Sequence, residues 1–253
     1  MYFIEALKFS IKKAFQYPAN LISWFCADVA LYAATILAYY FLAHSFSNFA
    51  GYSRYEIVLY ICNFSLVNNL SAIFFAEAES DFGDSLISGR FGYYALKPRT
   101  LLKNYIYLNI NLPAVCATPF LIAAIVVFAR LSGVRITVLY ALAIITAAAD
   151  MGLLFFIINA LALFGVRPEA LNTIAMQVLS AAEKPDTIFP KAVRRLLYYF
   201  VPVLLFSSFP TRVLLGKISL SGKIWGFGSM FELLAIFWLL LREGRKHFQA
   251  EEG

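Results

Sequence analysis

Residues 136–165 read ITVLYALAIITAAADMGLLFFIINALALFG, an almost unbroken apolar run in which Asp150 is the one charged residue. An α-helix rises about 1.5 Å per residue, so about 20 apolar residues cross the roughly 30 Å of hydrocarbon in a bilayer. This run is long enough to tilt within the bilayer or to extend beyond it. It therefore predicts a membrane-spanning helix.

The composition of the whole chain agrees with this prediction. Of its 253 residues, 61% are hydrophobic and 14% are charged, whereas a soluble domain averages about 45–50% apolar and about 25% charged residues. We predict six spans, at residues 21–44, 55–76, 101–129, 136–165, 192–209 and 224–241. The sequence thus predicts an all-α polytopic membrane protein that forms one transmembrane domain over residues 1–253.

The segment before the first span, residues 2–17, shows a different pattern. Ile4, Leu7 and Ile11 recur at helical spacing, while lysines occupy much of the remaining face. A basic amphipathic helix of this kind lies at the membrane surface, and Pro18 ends it. Because the segment has no apolar core typical of a cleavable signal peptide, we predict an interfacial helix.

Basic residues are distributed unequally between the two sides of the predicted topology. Fifteen Lys and Arg residues fall in the N-terminal helix, the loops after spans two and four, and the C-terminal tail, against six on the other side. Loops rich in Lys and Arg stay in the cytoplasm, so both termini are predicted to be cytoplasmic. The external loop before span six nevertheless carries three basic residues, Arg212, Lys217 and Lys223.

The sequence lacks the residues that several classes of function require. The three cysteines lie far apart in apolar runs, and the two histidines, His44 and His247, lie at a span end and in the tail. This pattern indicates neither a metal site nor a nucleophile with its base. The segment 216–224 does not fit a phosphate-binding P-loop, because five residues separate its glycines and Ile224 follows the lysine. We therefore expect no catalytic residues, no metal and no nucleic-acid partner.

The segment after span two, residues 77–98, has the features of a short cytoplasmic helix at about 78–90. Phe82 and Leu86 share one face, and Gly89 is placed to cap the end. Acidic residues near the start suit the helix dipole: Glu79, Asp81 and Asp84. Such a segment is either a loop lying on the lipid headgroups or a docking helix for a cytoplasmic partner, and a helix tied to two spans can transmit the partner's movement.

Three motifs, taken in order, resemble a known family. Residues 86–98 read LISGRFGYYALKP, residues 183–190 read EKPDTIFP, and residues 242–248 read REGRKHF, with Phe248 where tyrosine is usual. They resemble segments of type-2 ATP-binding-cassette (ABC-2) exporter permeases, and particularly the small six-span subgroup that includes viologen and daunorubicin-type exporters.

The resemblance implies a permease subunit of an ATP-driven exporter in the bacterial plasma (inner) membrane. Its cargo would be a small molecule, drug, lipid or peptide. A separate cytoplasmic ATPase would bind ATP and magnesium, this chain would bind no cofactor, and a second permease, identical or related, would complete the transporter. The family's coupling helix maps onto residues 81–88. The residues implied to couple to the ATPase are Asp81, Phe82, Asp84, Leu86, Ile87 and Arg90.

The segment 210–222 follows the predicted fifth span. Its apolar residues before a Gly/Ser turn predict either a small re-entrant or interfacial external element or an ordinary loop, and irregular backbone near a membrane is tolerated where protein or water surrounds it. The resemblance implies an external gate here, with Pro210 and Leu214 as candidate residues.

Three acidic residues, Asp28, Asp150 and Glu232, lie inside predicted spans. A charge at the bilayer centre costs about 2.5–3.5 kcal/mol on insertion scales. Asp150 and Glu232 therefore either line a path for a cationic or polar cargo or bond to a neighbouring helix. If they carried protons, the chain would be an ion-coupled secondary transporter, which is the main alternative to an ABC permease. A sensor or scaffold that transports nothing is a further alternative.

Overall fold

The computed structural model describes residues 8, 11–12, 15–45, 48–49, 51–87 and 110–251. Most of the predicted amphipathic helix 2–17 and the segment 88–109, with Arg90, lie outside these residues. The elements in chain order are α1 (Pro18–Ser45), β1 (Asn48–Phe49), β2 (Tyr52–Ser53), α2 (Arg54–Ser71), α3 (Glu77–Ile87), α4 (Leu112–Leu131), α5 (Val138–Ala160), α6 (Pro168–Ala182), α7 (Lys191–Tyr199), α8 (Leu205–Leu214) and α9 (Leu220–Glu251).

Within the described residues, five helical segments are long and apolar enough to cross a membrane. They are Pro18–Ser45, Arg54–Ser85, Leu112–Leu131, Val138–Phe164 and Leu220–Gly244. These segments overlap predicted spans one, two, three, four and six, and they confirm the prediction of an all-α polytopic membrane protein.

α2 is the central helix of the bundle, and it contacts α1, α4, α5 and α8. Its buried amides are bonded to all four of these neighbours, with the Tyr32 hydroxyl of α1 donating to Asn69 (3.4 Å). Asn63 donates to Thr211 Oγ1 of α8 (2.9 Å) and accepts from the Tyr140 hydroxyl of α5 (2.6 Å). Asn69 donates to Thr118 Oγ1 of α4 (2.9 Å). Because a buried amide without a partner is costly, these bonds favour one arrangement of the helices around α2.

α2 does not end at Ser71. A π-helical turn, Ala72–Ala76, leads directly into α3, and the carbonyl oxygen of Ile73 in this turn accepts from the backbone N–H of Asn111 (3.1 Å). Asn111 in turn caps the start of α4. The predicted helix 78–90 is therefore, as far as residue 87, a continuation of span two. The predicted interaction of its acidic residues with a helix N-terminus is wrong, because α3 has no free N-terminus.

The contacts define two ends of the bundle. At the hairpin end, β1 and β2 form an antiparallel hairpin that turns at Gly51 (φ 77°), and α2, α5 and α9 begin. At the coupling end, α3 packs against the later parts of α5 and α9 through the rings of Phe82, Phe156 and Phe237. α2, α5 and α9 therefore run in the same direction.

α6 runs from the coupling end to the hairpin end. It starts shortly after Gly165, whose positive φ of 76° ends a 3-10 extension of α5. At the other end of α6, the carbonyl of Ala182 accepts from Ser207 (2.6 Å) beside Tyr60. α6 is thus the fifth connection between the two ends, although the sequence placed it in a cytoplasmic loop.

The structure also differs from the prediction at residues 192–209, which do not form one helix. α7 ends at Tyr199 and α8 begins at Leu205, and each is too short to cross a bilayer. Pro202 lies between them, and proline lacks an N–H and restricts the residue before it. α8 packs against α2 and α5 and is buried along most of its length. α7 and α8 therefore form a re-entrant pair at the hairpin end, and this irregular element begins well before Pro210.

This rearrangement changes the count of basic residues. Four of the fifteen residues counted as cytoplasmic follow α6 and lie at the hairpin end: Lys184, Lys191, Arg194 and Arg195. The count becomes eleven against ten. The distribution of Lys and Arg therefore no longer distinguishes the two sides.

Candidate coupling and transport site

The predicted coupling residues as far as Ile87 lie on one continuous helical rod that is formed by α2, the π turn and α3. Asp81 and Asp84 are exposed on α3. Leu86 and Ile87 lie in the last turn of the helix. The exposed acids are thus placed where a partner at the coupling end can reach them.

Phe82 differs from the expected docking residue, because it faces the interior and is 1% exposed. Its ring centroid lies 5.5 Å from that of Phe156 on α5 and 6.0 Å from that of Phe237 on α9. Aromatic pairs at such separations contribute beyond the area that they bury. Phe82 therefore joins α3 to two other helices and leaves no ring surface for a partner.

A cavity of about 360 Å³ lies beside the π turn, between the α2–α3 rod, α5 and α6. Its polar lining residues are Asn68, Ser71, Glu79, Asp84 and Asn159, and its apolar ones include Met151, Phe155, Ile158, Leu171 and Leu179. Among the described residues, the buried Oε2 of Glu79 has no hydrogen-bond partner. The cavity thus combines apolar walls with convergent polar groups, as small-molecule sites do.

Two glycines allow the helices around this cavity to approach closely. A Cβ at Gly83 would lie 2.9 Å from Oδ1 of Asn159, and a Cβ at Gly152 would lie 2.3 Å from the ring of Phe75. Gly83 brings α3 against α5 at the rim of the cavity. Gly152 makes room for a residue of the π turn.

The two acids predicted to line a cargo path meet at the contact between α5 and α9. Asp150 is buried and accepts from the Ser229 hydroxyl (2.6 Å). Glu232 follows Ser229 by one helical turn and therefore shares its face. Asp150 Oδ1 and Glu232 Oε2 have no hydrogen-bond partner among the described residues. Neither acid lines the cavity beside the π turn.

The candidate gate residues Pro210 and Leu214 are both buried in α8. A polar network closes the bundle beside them at the hairpin end. The Tyr60 hydroxyl donates to the carbonyl of Lys184 (2.8 Å) and contacts the Ser207 hydroxyl. α2, α6 and α8 are therefore bonded together on the route from the cavity to the hairpin end.

Sequence reasoning missed the cavity. Asn68, Ser71 and Asn159 are polar residues within apolar spans, and that signal marks them as candidates for an interior position. Only the fold brings them together, because α6 completes the cavity wall.

Comparison with known proteins assigns the family. No curated protein and no solved structure matches the chain. A family model described as ABC-2 family transporter protein matches residues 29–250, which include most of α1 and nearly all of the chain after it. The chain therefore belongs to the ABC-2 transporter family and is the membrane-spanning permease component of an ABC transporter.

Proposed function

We propose that this permease exports a small molecule and is driven by a separate ATPase, which binds ATP and magnesium and docks at the coupling end. The coupling end would face the cytoplasm of a bacterium, with the bundle in the plasma membrane. α1 begins and α9 ends at this end, so both termini would be cytoplasmic.

The observation that carries this proposal is the unbroken rod of α2, the π turn and α3. The rod exposes Asp81 and Asp84 at one end and holds Phe82 between α5 and α9. Packed interiors transmit displacement because they contain few voids. A partner that moves α3 would therefore also move α5 and α9.

The cavity beside the π turn supports a cargo that carries a cation or several hydrogen-bond donors. Its volume of about 360 Å³ is within the range of about 300–1,000 Å³ that is usual for small-molecule sites. Glu79 and Asp84 supply carboxyl groups, and Asn68 and Asn159 supply amide groups. The route outward would pass α8, where Pro210 and Leu214 would form part of the gate.

A second permease, identical or related, is the other proposed partner. Many large apolar side chains of α1, such as Ile22, Leu31 and Phe41, are more than half exposed. Membrane lipid or a second permease would cover this surface.

Charge reversal on the exposed face of α3 tests ATPase docking. Asp81→Lys combined with Asp84→Lys is expected to reduce copurification of the ATPase at least about tenfold, which corresponds to about 1.4 kcal/mol. Phe82→Ala is expected to leave the ATPase bound, to lower permease stability by about 3–5 kcal/mol and to uncouple ATP hydrolysis from transport. Pull-down assays, thermal unfolding and vesicle transport measure the three effects.

Glu183→Lys, a matched charge reversal at the hairpin end, serves as the control and should leave docking unchanged. If the ATPase stays bound and coupled to the Asp81→Lys/Asp84→Lys variant, the docking role of α3 is wrong. Transport that survives loss of the ATPase but stops when the proton gradient collapses would favour the ion-coupled alternative through Asp150 or Glu232.

The proposed cargo class has its own test. Glu79→Gln removes one of the two carboxyl groups of the cavity and should lower export of the cation ethidium by about tenfold, since one lost charge-assisted contact contributes about 1.5–3 kcal/mol. Glu183→Gln at the hairpin end is the control. Unchanged ethidium export by the Glu79→Gln variant would mean that this cavity does not bind the cation.

A further inference from the structure

A second cavity, of about 300 Å³, lies at the hairpin end between α7, α8 and the start of α9. Its lining includes Arg194 and Arg195 of α7, Arg212 of α8 and Lys217 of the loop before α9. Asp186 is the one carboxylate in this lining. The cavity is therefore strongly basic.

Two of these cations are neutralised within the protein. Arg212 pairs with Asp186, and Lys217 pairs with Glu56 (2.7 Å). Burial acts to lower the pKa of Arg212, but the Asp186 carboxylate together with Tyr52 and Tyr198 more than offsets this effect, so the pKa is raised above its usual value. In the described part of the chain the two arginines of α7 have no ion-pair partner, and the cavity is left with two uncompensated guanidinium groups.

The start of α9 adds to the positive potential. Ser221 and Gly222 in its first turn line the cavity, and this turn has no acidic residue. The N-terminus of a helix carries partial positive charge and favours anions. Asp186, which is 1% exposed, has a second oxygen, Oδ1, with no hydrogen-bond partner among the described residues. The cavity thus offers guanidinium groups to an anion and one acceptor to a neighbouring donor.

The surface of α7 beside the cavity is apolar. Leu196, Tyr199 and Phe200 are 51%, 48% and 73% exposed. A helix with a basic face and an exposed apolar face lies in the interface between lipid headgroups and chains. The anion nearest to such a helix is the phosphate of a lipid headgroup.

We propose that this cavity binds the headgroup of a membrane phospholipid in the leaflet at the hairpin end. Arg194 and Arg195 bind the phosphate, for which the guanidinium fork is well suited, and Asp186 accepts from a headgroup hydroxyl or ammonium group. Trp225 Nε1 donates to the carbonyl of Tyr198 (2.9 Å), so the protein itself bonds α9 to α7 beside the cavity. The proposal is independent of the direction of transport and of the cargo.

The test measures lipid binding to the purified full chain in detergent, by native mass spectrometry and by the shift in unfolding temperature. The probes are dioctanoyl-phosphatidylglycerol, dioctanoylglycerol, which lacks the phosphate, and glycerol 3-phosphate, which lacks the chains. We expect the phosphatidylglycerol to bind at least about tenfold more tightly than either of the other two. Arg194→Gln combined with Arg195→Gln should remove this preference.

Lys191→Gln is the matched control, because Lys191 is on the same helix but does not line the cavity. The affinity of this variant for the phosphatidylglycerol should stay within about twofold of that of the unmodified chain. The single variant Arg195→Gln replaces the double variant if the latter does not fold. Equal binding of dioctanoylglycerol, or unchanged binding by the arginine variants, would overturn the proposal. Glycerol 3-phosphate binding as tightly as the lipid would assign the cavity to a free phosphate ester instead.

Discussion

The side chain of Asp150 illustrates how a charged residue is accommodated inside this bundle. One carboxylate oxygen accepts from Ser229 on the neighbouring helix (2.6 Å), while the other has no partner among the described residues. Of the two interpretations that the sequence left open, a bond between helices is the one that the structure contains. A role in carrying cargo stays a prediction.

Removal of the Ser229 hydroxyl should therefore destabilise the bundle. Ser229→Ala leaves both oxygens of Asp150 without a donor, and a buried polar group without a partner costs about 1–3 kcal/mol. Thermal unfolding in detergent measures the loss, with Ser221→Ala on the exposed start of α9 as the control. Equal unfolding temperatures for the two variants would show that the bond contributes nothing to stability.

At the scale of helices, hydropathy predicted the five long spans but neither the position of α6 nor the break between α7 and α8. The apolar residues of α8 are buried because protein surrounds the helix, and burial in protein or in lipid favours the same residues. Three polar residues interrupt the apolar residues of α6: Asn172, Thr173 and Gln177. Only the segment Thr173–Ala182 is apolar enough to resemble a span, and it is too short to be predicted as one. Phe82 faces inward because α5 and α9 pack against α3. The sequence of α3 alone does not predict that packing.

The contact between α8 and α9 provides a prediction at this scale. A Cβ at Gly226 would lie 2.3 Å from the ring of Phe209, whereas a Cβ at Gly228 meets no atom within 4 Å. Gly226→Ala should lower stability by about 1–3 kcal/mol through overpacking, and Gly228→Ala should raise it slightly, since alanine favours a helix by about 1 kcal/mol. Thermal unfolding of both variants measures the difference, and equal stabilities would contradict the close approach of α8.

Across the whole molecule, the position of α6 decides which residues lie on the same side of the membrane. With α6 connecting the two ends, Lys191 belongs with the hairpin and not with the end of α9. The basic residues then number eleven against ten, so orientation must be established by experiment and not by counting charges.

Labelling of introduced cysteines tests this topology. In a chain whose three native cysteines are replaced by alanine, Lys191→Cys and Ser53→Cys should react with a membrane-impermeant maleimide from the same side, and Glu243→Cys from the opposite side. Intact cells and inverted vesicles distinguish the sides. If Lys191→Cys and Glu243→Cys reacted from the same side, residues 192–209 would cross the membrane as the sequence predicted.

The π turn at Ala72–Ala76 also fixes the rotational phase between α2 and α3. Each residue of an α-helix advances the chain by about 100° and about 1.5 Å. Deletion of one residue from the turn would therefore rotate α3 by about a quarter turn and withdraw Phe82 from its place between Phe156 and Phe237. Under the proposed function, it would also present a different edge of α3 to the ATPase. If the ATPase docks on α3 as proposed, the length of this one turn sets the direction in which force enters the bundle.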